Sequence, residues 1–491
     1  MMTRLSLANL PEIAGKAGVP TYERRDLSPG ILHFGVGNFH RAHQATYLDR
    51  LFSAGRDHDF AIVGAGVMPG DAAMREALEG QDWLTTVVEQ SADVSRAHVT
   101  GAMIDFAPVA DAPAILRRLA DPAIRIVSLT VTEGGYFIDS SGVFDSAHPA
   151  IVADGANPAA PKTVFGLIAA GLAARRAAGM APFTVMSCDN IPHNGKVARN
   201  AVVGTAALSD PALADWIKGE VVFPNGMVDR ITPATGERER GLAKSAFGID
   251  DAWPVFCEDF TQWVLEDTFP TGRPALEEVG VEFVDDVSPY EAMKIRILNG
   301  GHAVIAYPAG LIGITYVHEA MAEPLIAAFL RKIHADEIIP VVPPVPNTDL
   351  ATYAKEIERR FANPKIGDTV RRLCLDGSNR QPKFIVPSIA DRLKTGASIT
   401  GLALESALWC RYCAGISEEG KIIEPNDPNW DRLKPLAEEA RENPDAWLGM
   451  GDIYGDVGTA PQMRAAFAKS LAMVWKDGTE TTLRRYLDGT L

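Results

Sequence analysis

A lysine, an amide and an imidazole lie close together in the segment "SPYEAMKIRILNGGH" as Lys294, Asn299 and His302. At 100° per residue of an α-helix, Asn299 lies about 140° and His302 about 80° from Lys294, so all three share one side. Apolar neighbours would partly desolvate the lysine and lower its pKa towards that of a general base. A surface lysine is the alternative, because Gly300 and Gly301 could end or bend the helix.

The start of this segment has a strong helix signal. Ser288 can cap the helix, Pro289 suits its first position, and Glu291 completes a capping box, which could be the only role of that carboxylate. Tyr290 and Lys294 also form Y-x-x-x-K, the spacing in which short-chain dehydrogenases use the tyrosine as acid and base. That motif belongs inside the nucleotide domain of a much shorter chain, so we favour the lysine.

A glycine pair in "ILHFGVGNFHRAHQ", residues 31–44, follows an apolar run and precedes a helical pattern. Such a turn lets the backbone approach pyrophosphate, and the following helix points free N–H groups at it. His40 stands where a dinucleotide fingerprint has its third glycine, so a plain strand-to-helix turn is the alternative. The expected cofactor-binding residues of this loop are Gly35, Val36, Gly37, Asn38 and Phe39.

The same loop could be a metal site, because it contains His33, His40 and His43. His33 precedes the glycine turn, however, and no H-E-x-x-H motif accompanies the three. The C-x-x-C at Cys410 and Cys413 lies in a pattern typical of a buried helix. We therefore expect no metal.

An acid near the end of the second strand usually binds the ribose hydroxyls of a dinucleotide. Asp71 in "GVMPGDAAMRE" is the candidate, although it lies farther from the glycines than is usual. Arg75, the nearest base, is one helical turn away from it. The sequence therefore favours NAD over NADP.

The bulk composition excludes several function classes. The 491 residues carry a net charge of −16 without a basic block, which disfavours nucleic acid. Arg175 and Arg176 interrupt the most alanine-rich stretch well before the roughly 20 apolar residues that a membrane span needs. No signal peptide is visible, and five scattered cysteines indicate reduced thiols, so we expect a cytoplasmic protein without a membrane partner.

Strand-like and helix-like segments alternate in the first half, whereas the second half is largely helical. Apolar runs such as "FAIVGAGV" and "FTVMSCDN" are typical of strands buried on both faces. "FHRAHQATYLDRLFSAG" predicts one helix closed by Gly55. We expect an α/β fold: an N-terminal Rossmann-type doubly wound sheet, residues 1–285, and a mostly α-helical C-terminal domain, residues 286–491, with the site in a cleft between them.

Several ordered blocks of the chain resemble the long-chain polyol dehydrogenases, the mannitol 2-dehydrogenase family. They are "GVGNFHRAHQATYLD", "SLTVTEGGY", "VMSCDNIPHNGK", "FPNGMVDRITP", "QWVLEDTF" and "KIRILNGGH". The resemblance runs from about residue 30 to beyond residue 380, and the loop without a third glycine is part of it. It implies an NAD(P)-binding Rossmann domain, a helical substrate domain and metal-independent chemistry.

The resemblance also implies roles for individual residues. Lys294 matches the general base, Asn190 and Asn299 match the pair that binds the reacting oxygen, and His302 matches the histidine that positions it. Asp229 in "GMVDR" matches a substrate-binding acid.

Four further residues follow from the same matches. Arg372 and Arg380 are candidates for the distal hydroxyls, with Lys383 as an alternative to Arg380. Thr132 and Glu133 end another strand and should lie near the nicotinamide ribose.

The implied function is a monomeric, NAD-dependent polyol 2-dehydrogenase that interconverts D-mannitol and D-fructose, and also D-arabinitol or D-sorbitol with their ketoses. A hexuronate reductase acting on fructuronate or tagaturonate is the alternative within the family, because a carboxylate substrate would suit the paired arginines. A non-catalytic NAD-binding protein is the alternative from another class. The joint presence of the lysine, both asparagines and the histidine argues against it.

Overall fold

The computed structural model describes residues 2–138 and 143–491. The chain separates into two compact units, Met1–Val287 and Ser288–Leu491. The first unit combines strands and helices, and the second is helical.

Strands occur only in the first unit of the described chain. In chain order they are β1 (Thr3–Arg4), β2 (Pro29–Phe34), β3 (Ala61–Ala65), β4 (Thr85–Gln90), β5 (Ser95–Thr100), β6 (Met103–Phe106), β7 (Ile126–Leu129), β8 (Thr184–Ser187), β9 (Gly226–Asp229), β10 (Ile249–Asp250), β11 (Val255–Glu258), β12 (Gln262–Glu266) and β13 (Glu282–Val284).

The central sheet is parallel and has the strand order β6-β3-β2-β7-β8. From β2 the chain builds outward through β3 and β6, and it then crosses to the other side for β7 and β8. The strand order therefore reverses between β2 and β7. Open α/β sheets bind ligands outside the carboxyl ends of the strands at such a point.

Helices cover both faces of this sheet. The helices of the first unit are α1 (Leu10–Ile13), α2 (Asn38–Ala42), α3 (Gln44–Ser53), α4 (Pro69–Glu79), α5 (Ala112–Leu119), α6 (Pro149–Ala156), α7 (Val164–Ala177), α8 (Asn194–Ala207), α9 (Pro211–Glu220) and α10 (Glu237–Phe247).

Alternate strand residues point to opposite faces, as the two-residue period of a strand requires. Leu32 and Val127 pack with apolar residues of α5, α7, α8 and α9, whereas Ile31 and Ile126 pack with α3 and α4. Because both faces are covered, the strands are apolar almost throughout. The expected doubly wound, Rossmann-type sheet is confirmed.

The helix expected after the glycine loop is in fact two helices. His43, between α2 and α3, has φ −117° and ψ −90°, which are not helical angles. The hydrophobic pattern runs through this break and could not reveal it. Gly55, with φ +77°, follows α3 as expected.

The second unit is built from helices around a buried centre. They are α11 (Ser288–Met293), α12 (Gly300–Leu311), α13 (Val317–Ala322), α14 (Pro324–Ile333), α15 (Leu350–Phe361), α16 (Val370–Leu373), α17 (Gly377–Phe384), α18 (Val386–Lys394), α19 (Thr400–Cys413), α20 (Trp430–Glu439), α21 (Asp445–Leu448), α22 (Gly451–Tyr454), α23 (Pro461–Asp477) and α24 (Thr479–Leu487). Two π-helical segments, Lys294–Asn299 and His334–Ile338, continue α11 and α14.

Helix α19 forms the centre of this unit, because every residue from Gly401 to Cys413 is buried. The cysteines of the chain are all free and all buried. Among residues 2–138 and 143–491, no helix has the length and apolar character needed to cross a bilayer.

Candidate active site

The glycine loop follows β2 at the point where the strand order reverses. Gly35 has φ +91°, and a Cβ there would lie 2.1 Å from the carbonyl oxygen of Thr130, so only glycine fits. Gly37 donates its N–H to the Gly35 carbonyl at 2.7 Å and caps α2. A Cβ on Gly37 would meet nothing closer than 3.8 Å, which leaves its backbone open to a ligand.

His40 supplies the helix-to-strand contact that a third glycine provides in other dinucleotide-binding loops. Its ring stacks on that of His33 in β2, with centroids 3.4 Å apart and planes 14° apart. Both side chains are buried. Desolvation lowers the pKa of His33 to about 3 and holds that of His40 well below its ordinary value, so both rings are neutral at pH 7.

The ring nitrogens of His33 and His43 contact other groups of the protein. The ring nitrogens of His33 lie 2.7 Å from Ser128 Oγ and 3.0 Å from Thr130 Oγ1, and His43 Nε2 lies 3.0 Å from the Gln262 carbonyl. Over residues 2–138 and 143–491, no group of three or more His, Cys, Asp and Glu side chains could hold a metal ion.

The side chains of the loop fasten it to the first unit. Asn38 donates its amide to the Pro233 carbonyl and to Thr235 Oγ1, both at 2.9 Å. Val36 is buried, and the ring of Phe39 stacks on His43 at 4.8 Å. The loop therefore offers a ligand chiefly its backbone groups.

Asp71 lies on the first turn of α4 rather than at the end of β3. Its Oδ2 accepts the Met68 N–H at 2.9 Å and would lie 2.5 Å from a Cβ on Gly66. The carboxylate therefore caps its own helix and packs against the backbone that follows β3. The longer spacing noted in the sequence reflects this position.

A buried carboxylate that sequence reasoning missed organises the ends of β7 and β8. Asp189 accepts hydrogen bonds from the backbone N–H groups of Val131 and Thr132 at 2.9 and 2.8 Å, and from the Tyr136 hydroxyl at 2.7 Å. Thr132 is held at φ +64°, and Glu133 beside it is exposed. The sequence shows the acid in "SCDN" but not that its partners are backbone groups of another loop.

Asn190 follows Asp189 directly and is exposed at the carboxyl end of β8. Four residues on, Asn194 is fully buried and joins two strand ends. Its amide donates to the carbonyls of Asp189 at 3.0 Å and Gly226 at 2.8 Å, and it accepts the Gly226 N–H at 2.9 Å. Asp189 and Asn194, on either side of Asn190 in the chain, are therefore both held by polar contacts.

Asp229 ends β9 and is buried. The next residue, Arg230, has a fully buried side chain that donates to the carbonyl of Ala42 at 2.5 Å, to that of Glu258 and to the carboxylate of Glu89 at 2.6 Å. Because Ala42 is the last residue of α2, Arg230 ties the end of β9 to the helix of the glycine loop.

In the second unit, Lys294, Asn299 and His302 lie on one unbroken run of helix from Ser288 to Leu311. Lys294 is 6% exposed, as its apolar neighbours predicted, and Asn299 is half-buried. The helix neither ends nor is interrupted at Gly300 and Gly301.

The angle expected between Lys294 and Asn299 about the helix axis was wrong. Residues Lys294–Asn299 form a π-helix, in which hydrogen bonds join residues five apart, so the 100° rule does not apply. Each π turn holds about one residue more than an α turn, which brings residues five apart closer to one face. Asn299 therefore lies nearer the face of Lys294 than an α-helix would place it.

The ring of His302 stacks on Phe361, with centroids 4.4 Å apart. Desolvation, helped by the positive charges of Arg372, Arg360 and Arg380, holds its pKa well below the ordinary value. Within the described residues its Nε2 is buried without a hydrogen-bond partner. The ring is therefore neutral and has one ring nitrogen unused.

The two arginines proposed for the substrate already have protein partners. Arg372 forms a two-point ion pair with Asp368 one turn earlier, and Arg380 donates to the Leu373 carbonyl at 3.0 Å. Lys383, the alternative to Arg380, is exposed.

Comparison with known proteins agrees with the fold. The mannitol dehydrogenase Rossmann domain matches residues 29–278, and the mannitol dehydrogenase C-terminal domain matches residues 286–475. The chain belongs to the mannitol dehydrogenase family. It is 61% identical to the mannitol 2-dehydrogenase of Cereibacter sphaeroides over 95% of this chain and 98% of that protein.

Two solved structures have the same fold along nearly the whole chain. One is the Pseudomonas fluorescens mannitol 2-dehydrogenase in a ternary complex with NAD and D-mannitol, 44% identical, with a TM-score of 0.87 and coverage of 99% of this chain and 100% of that one. Another is a D-sorbitol dehydrogenase in substrate-free form, 34% identical, with a TM-score of 0.90 and coverage of 98% and 100%.

Proposed function

We propose that this protein is an NAD-dependent polyol 2-dehydrogenase that interconverts D-mannitol and D-fructose. The observation that carries the proposal is the buried Lys294 on the π segment with Asn299 and His302, in a chain of this family. The 44% identical relative solved with NAD and D-mannitol supports the choice of cofactor and substrate.

The glycine loop fits a dinucleotide. Gly37 has open space where a side chain would stand, and it caps α2 at the point where the strand order reverses. We assign the loop from Gly35 to Phe39, together with Asp71, Thr132 and Glu133, to cofactor binding. NAD, when bound, supplies the acceptor for the hydride that leaves the carbinol carbon.

Lys294 acts as the general base. Its Nζ takes the proton of the C2 hydroxyl as the C2–H bond gives up its hydride, so that the alcohol becomes a ketone. In the reverse direction the protonated lysine returns this proton to the ketose oxygen. Because the base form is needed for oxidation, polyol oxidation should accelerate and ketose reduction should slow as the pH rises.

Asn190 and Asn299 bind the reacting oxygen. Amide N–H donors stabilise the negative charge that develops on this oxygen, and a donor fixed before the reaction needs no rearrangement during it. Asp189 and Asn194 hold Asn190 in place. The neutral His302, stacked on Phe361, positions the same oxygen through its ring nitrogen.

A neutral polyol fits the remaining residues better than a hexuronate does. Arg372 is paired with Asp368, and Arg380 donates to a backbone carbonyl. Asp229, a buried acid, suits hydroxyl groups and would repel a carboxylate. We therefore propose D-mannitol as substrate, with D-arabinitol and D-sorbitol as further candidates.

The direct test is to assay NADH oxidation with D-fructose, L-sorbose, D-xylulose, fructuronate and tagaturonate, and to repeat each assay with NADPH. We expect turnover with D-fructose and NADH. Turnover with the two hexuronates alone would identify a reductase of that class, and the absence of turnover with every ketose would favour a non-catalytic protein.

Lys294→Ala should lower kcat by two to four orders of magnitude, which is the usual contribution of a general base. Tyr290→Phe is the matched control, because Tyr290 lies on the same helix with its hydroxyl directed at the Pro346 carbonyl. It should retain most of the activity. The opposite ranking of the two variants would show that the base is wrongly assigned.

A further inference from the structure

A buried histidine lies against the π segment from a neighbouring helix. His334 is 2% exposed and begins the second π segment, His334–Ile338, directly after α14. A Cβ on Gly301 would lie 3.1 Å from His334 Nε2 and 3.2 Å from its Cε1. The ring thus crowds the space that a side chain at position 301 would need.

The same ring lies close to the backbone of the π segment. The Ile297 carbonyl is near enough to raise the pKa of His334, although desolvation outweighs it and lowers that pKa to about 4. Neither ring nitrogen has a partner at ordinary hydrogen-bond geometry among the described residues. The ring is therefore neutral, and the Ile297 carbonyl is the polar group towards which its N–H can be directed.

A π segment needs support from outside the helix. Runs with i→i+5 bonds are rare because their hydrogen bonds and packing are poorer than those of an α-helix. At its end, the Gly300 N–H is shared between the carbonyls of Ile295 and Ile297. A rigid ring that packs on Gly301 and meets the Ile297 carbonyl would oppose a return to α-helical register.

We propose that His334 is a positioning residue that holds Lys294–Asn299 in π-helical register and thereby sets the placement of Lys294 relative to Asn299. The inference rests on the proposed function, because it assumes that these two residues act on the substrate. His334 acts through the helix rather than on the substrate itself.

Two adjacent glycines provide a matched pair of variants. Gly301→Ala adds a methyl group 3.1 Å from His334 Nε2, a tight contact that can be relieved only if the ring moves by a few tenths of an ångström, whereas Gly300→Ala adds the same group where the nearest atom, the Phe384 carbonyl oxygen, is 3.4 Å away. We expect kcat to fall about tenfold or more in Gly301→Ala, since small misplacements of reacting groups are costly. Gly300→Ala should stay within about twofold of the parent protein.

Changes at His334 complete the test. His334→Ala should lower kcat, and the double variant with Gly301→Ala should have a higher kcat than Gly301→Ala alone, because the tight contact with the ring is removed. His334→Phe keeps the ring but removes the N–H, and it should also lower kcat. A double variant no better than Gly301→Ala, or a folded His334→Phe with the parent kcat, would overturn the inference.

Two measurements separate positioning from a general structural role. Amide hydrogen exchange of the substrate-free protein should accelerate at 294–301 in the His334 variants and remain unchanged in β2 and β7. The Kd of NADH, measured by fluorescence, should stay within about twofold. Uniform acceleration along the chain would assign His334 to overall stability instead.

Lys294→Ala, assayed in parallel, distinguishes an error in the proposed function from an error in the positioning role of His334. If Lys294→Ala retains the parent kcat, the proposed function is wrong. If it is inactive while the His334 and Gly301 variants keep the parent kcat and exchange pattern, only the positioning role is wrong.

Discussion

Single residues at the carboxyl edge of the sheet serve two distinct purposes. Gly35 is required by the protein itself, because its φ is positive and the Thr130 carbonyl fills the space of a side chain. Gly37 is not required in this way, because the space beside it is open. If the proposed function is correct, the glycine pair combines a folding constraint at Gly35 with a ligand-binding constraint at Gly37.

Alanine substitutions should separate these constraints. We expect Gly35→Ala to lower the free energy of unfolding by about 1–3 kcal/mol, through backbone strain and the contact with Thr130. Gly37→Ala should keep the parent stability and lose affinity for NADH, because the methyl group blocks the approach of phosphate. Urea denaturation and NADH fluorescence titration measure the two effects.

The opposite results for the two glycine variants would contradict these roles. If Gly37→Ala bound NADH as the parent protein does, the loop would not contact the cofactor as proposed. If Gly35→Ala were as stable as the parent protein, the backbone at position 35 would have to differ from the one described.

The candidate residues of the site could be recognised in the sequence more readily than the contacts that surround them. The glycine pair, Lys294 and its burial could be predicted, because each rests on local spacing or on apolar neighbours. The role of Asp189 could not, since its partners at 131, 132 and 136 are distant in the chain. The capping position of Asp71 likewise depends on where β3 ends.

Among the helices, α19 is unusual because a central helix here buries an ionisable side chain. Glu405 is fully buried there, and its Oε1 accepts the Gln381 amide at 2.6 Å. Desolvation raises the pKa of Glu405 to about 8, so the folded protein holds this carboxyl mostly protonated at pH 7. Gln381 follows Arg380 on α17, so the pair also anchors that helix.

Glu405→Gln should therefore stabilise the protein at neutral pH. A carboxyl with a raised folded-state pKa loses its contribution to stability as the pH rises from about 4.5 to about 8, whereas a glutamine does not titrate. We expect an advantage for the variant of about 1–3 kcal/mol at pH 7 and little advantage at pH 5. Urea denaturation at pH 5, 7 and 9 measures it.

A pH-independent difference between the two proteins would contradict this account. It would show that the carboxyl gains nothing by binding a proton in the folded state. Leu404 or Ser406 variants are unsuitable controls because both residues are buried in the same helix, so an exposed carboxyl such as Glu419→Gln serves better.

The helices could be predicted from the sequence where the backbone is regularly α-helical. Their departures from α-helical geometry could not. The segment from Ser288 onward is helical as expected, but nothing in the spacing of its apolar residues distinguishes i→i+4 from i→i+5 bonds over residues 294–299. The break at His43 was missed for the same reason. Hydrophobic periodicity reports which face is buried, and it is insensitive to one residue more or less in a turn.

For the molecule as a whole, we expect histidines with a lowered pKa, three of them buried and His98 and His302 half-buried, to dominate the response to mild acid. Desolvation lowers the pKa of His33, His40, His98, His302 and His334 in the described chain. Their folded-state values lie below the unfolded value of about 6.5, so unfolding takes up protons below that pH. The contribution of these histidines to stability is complete above about pH 6.5 and is lost as the pH falls.

We expect the free energy of unfolding to decrease between pH 7.5 and pH 5.5, with each histidine contributing up to about 1.4 kcal/mol per pH unit below 6.5. Asp49, whose pKa burial raises to about 6, and Glu405 oppose part of this loss. Urea denaturation across this range gives the slope. His98→Gln, which is outside the proposed site, should make the slope shallower.

A slope that is flat or of the opposite sign would show that proton uptake by other groups of the folded protein, such as Asp49 and Glu405, outweighs the effect of the histidines. An unchanged slope in His98→Gln would remove that residue from the set and leave the remaining four to account for it.

Both units keep every native thiol inside. Burial raises the pKa of Cys257 and Cys374 to about 12, and it raises those of Cys188, Cys410 and Cys413 as well. Thiolate is the reactive form, so maleimides should leave the parent enzyme unmodified while it is folded. A cysteine engineered at an exposed position on each unit could then carry a dye selectively, which makes distance measurements in solution practical without first removing native cysteines.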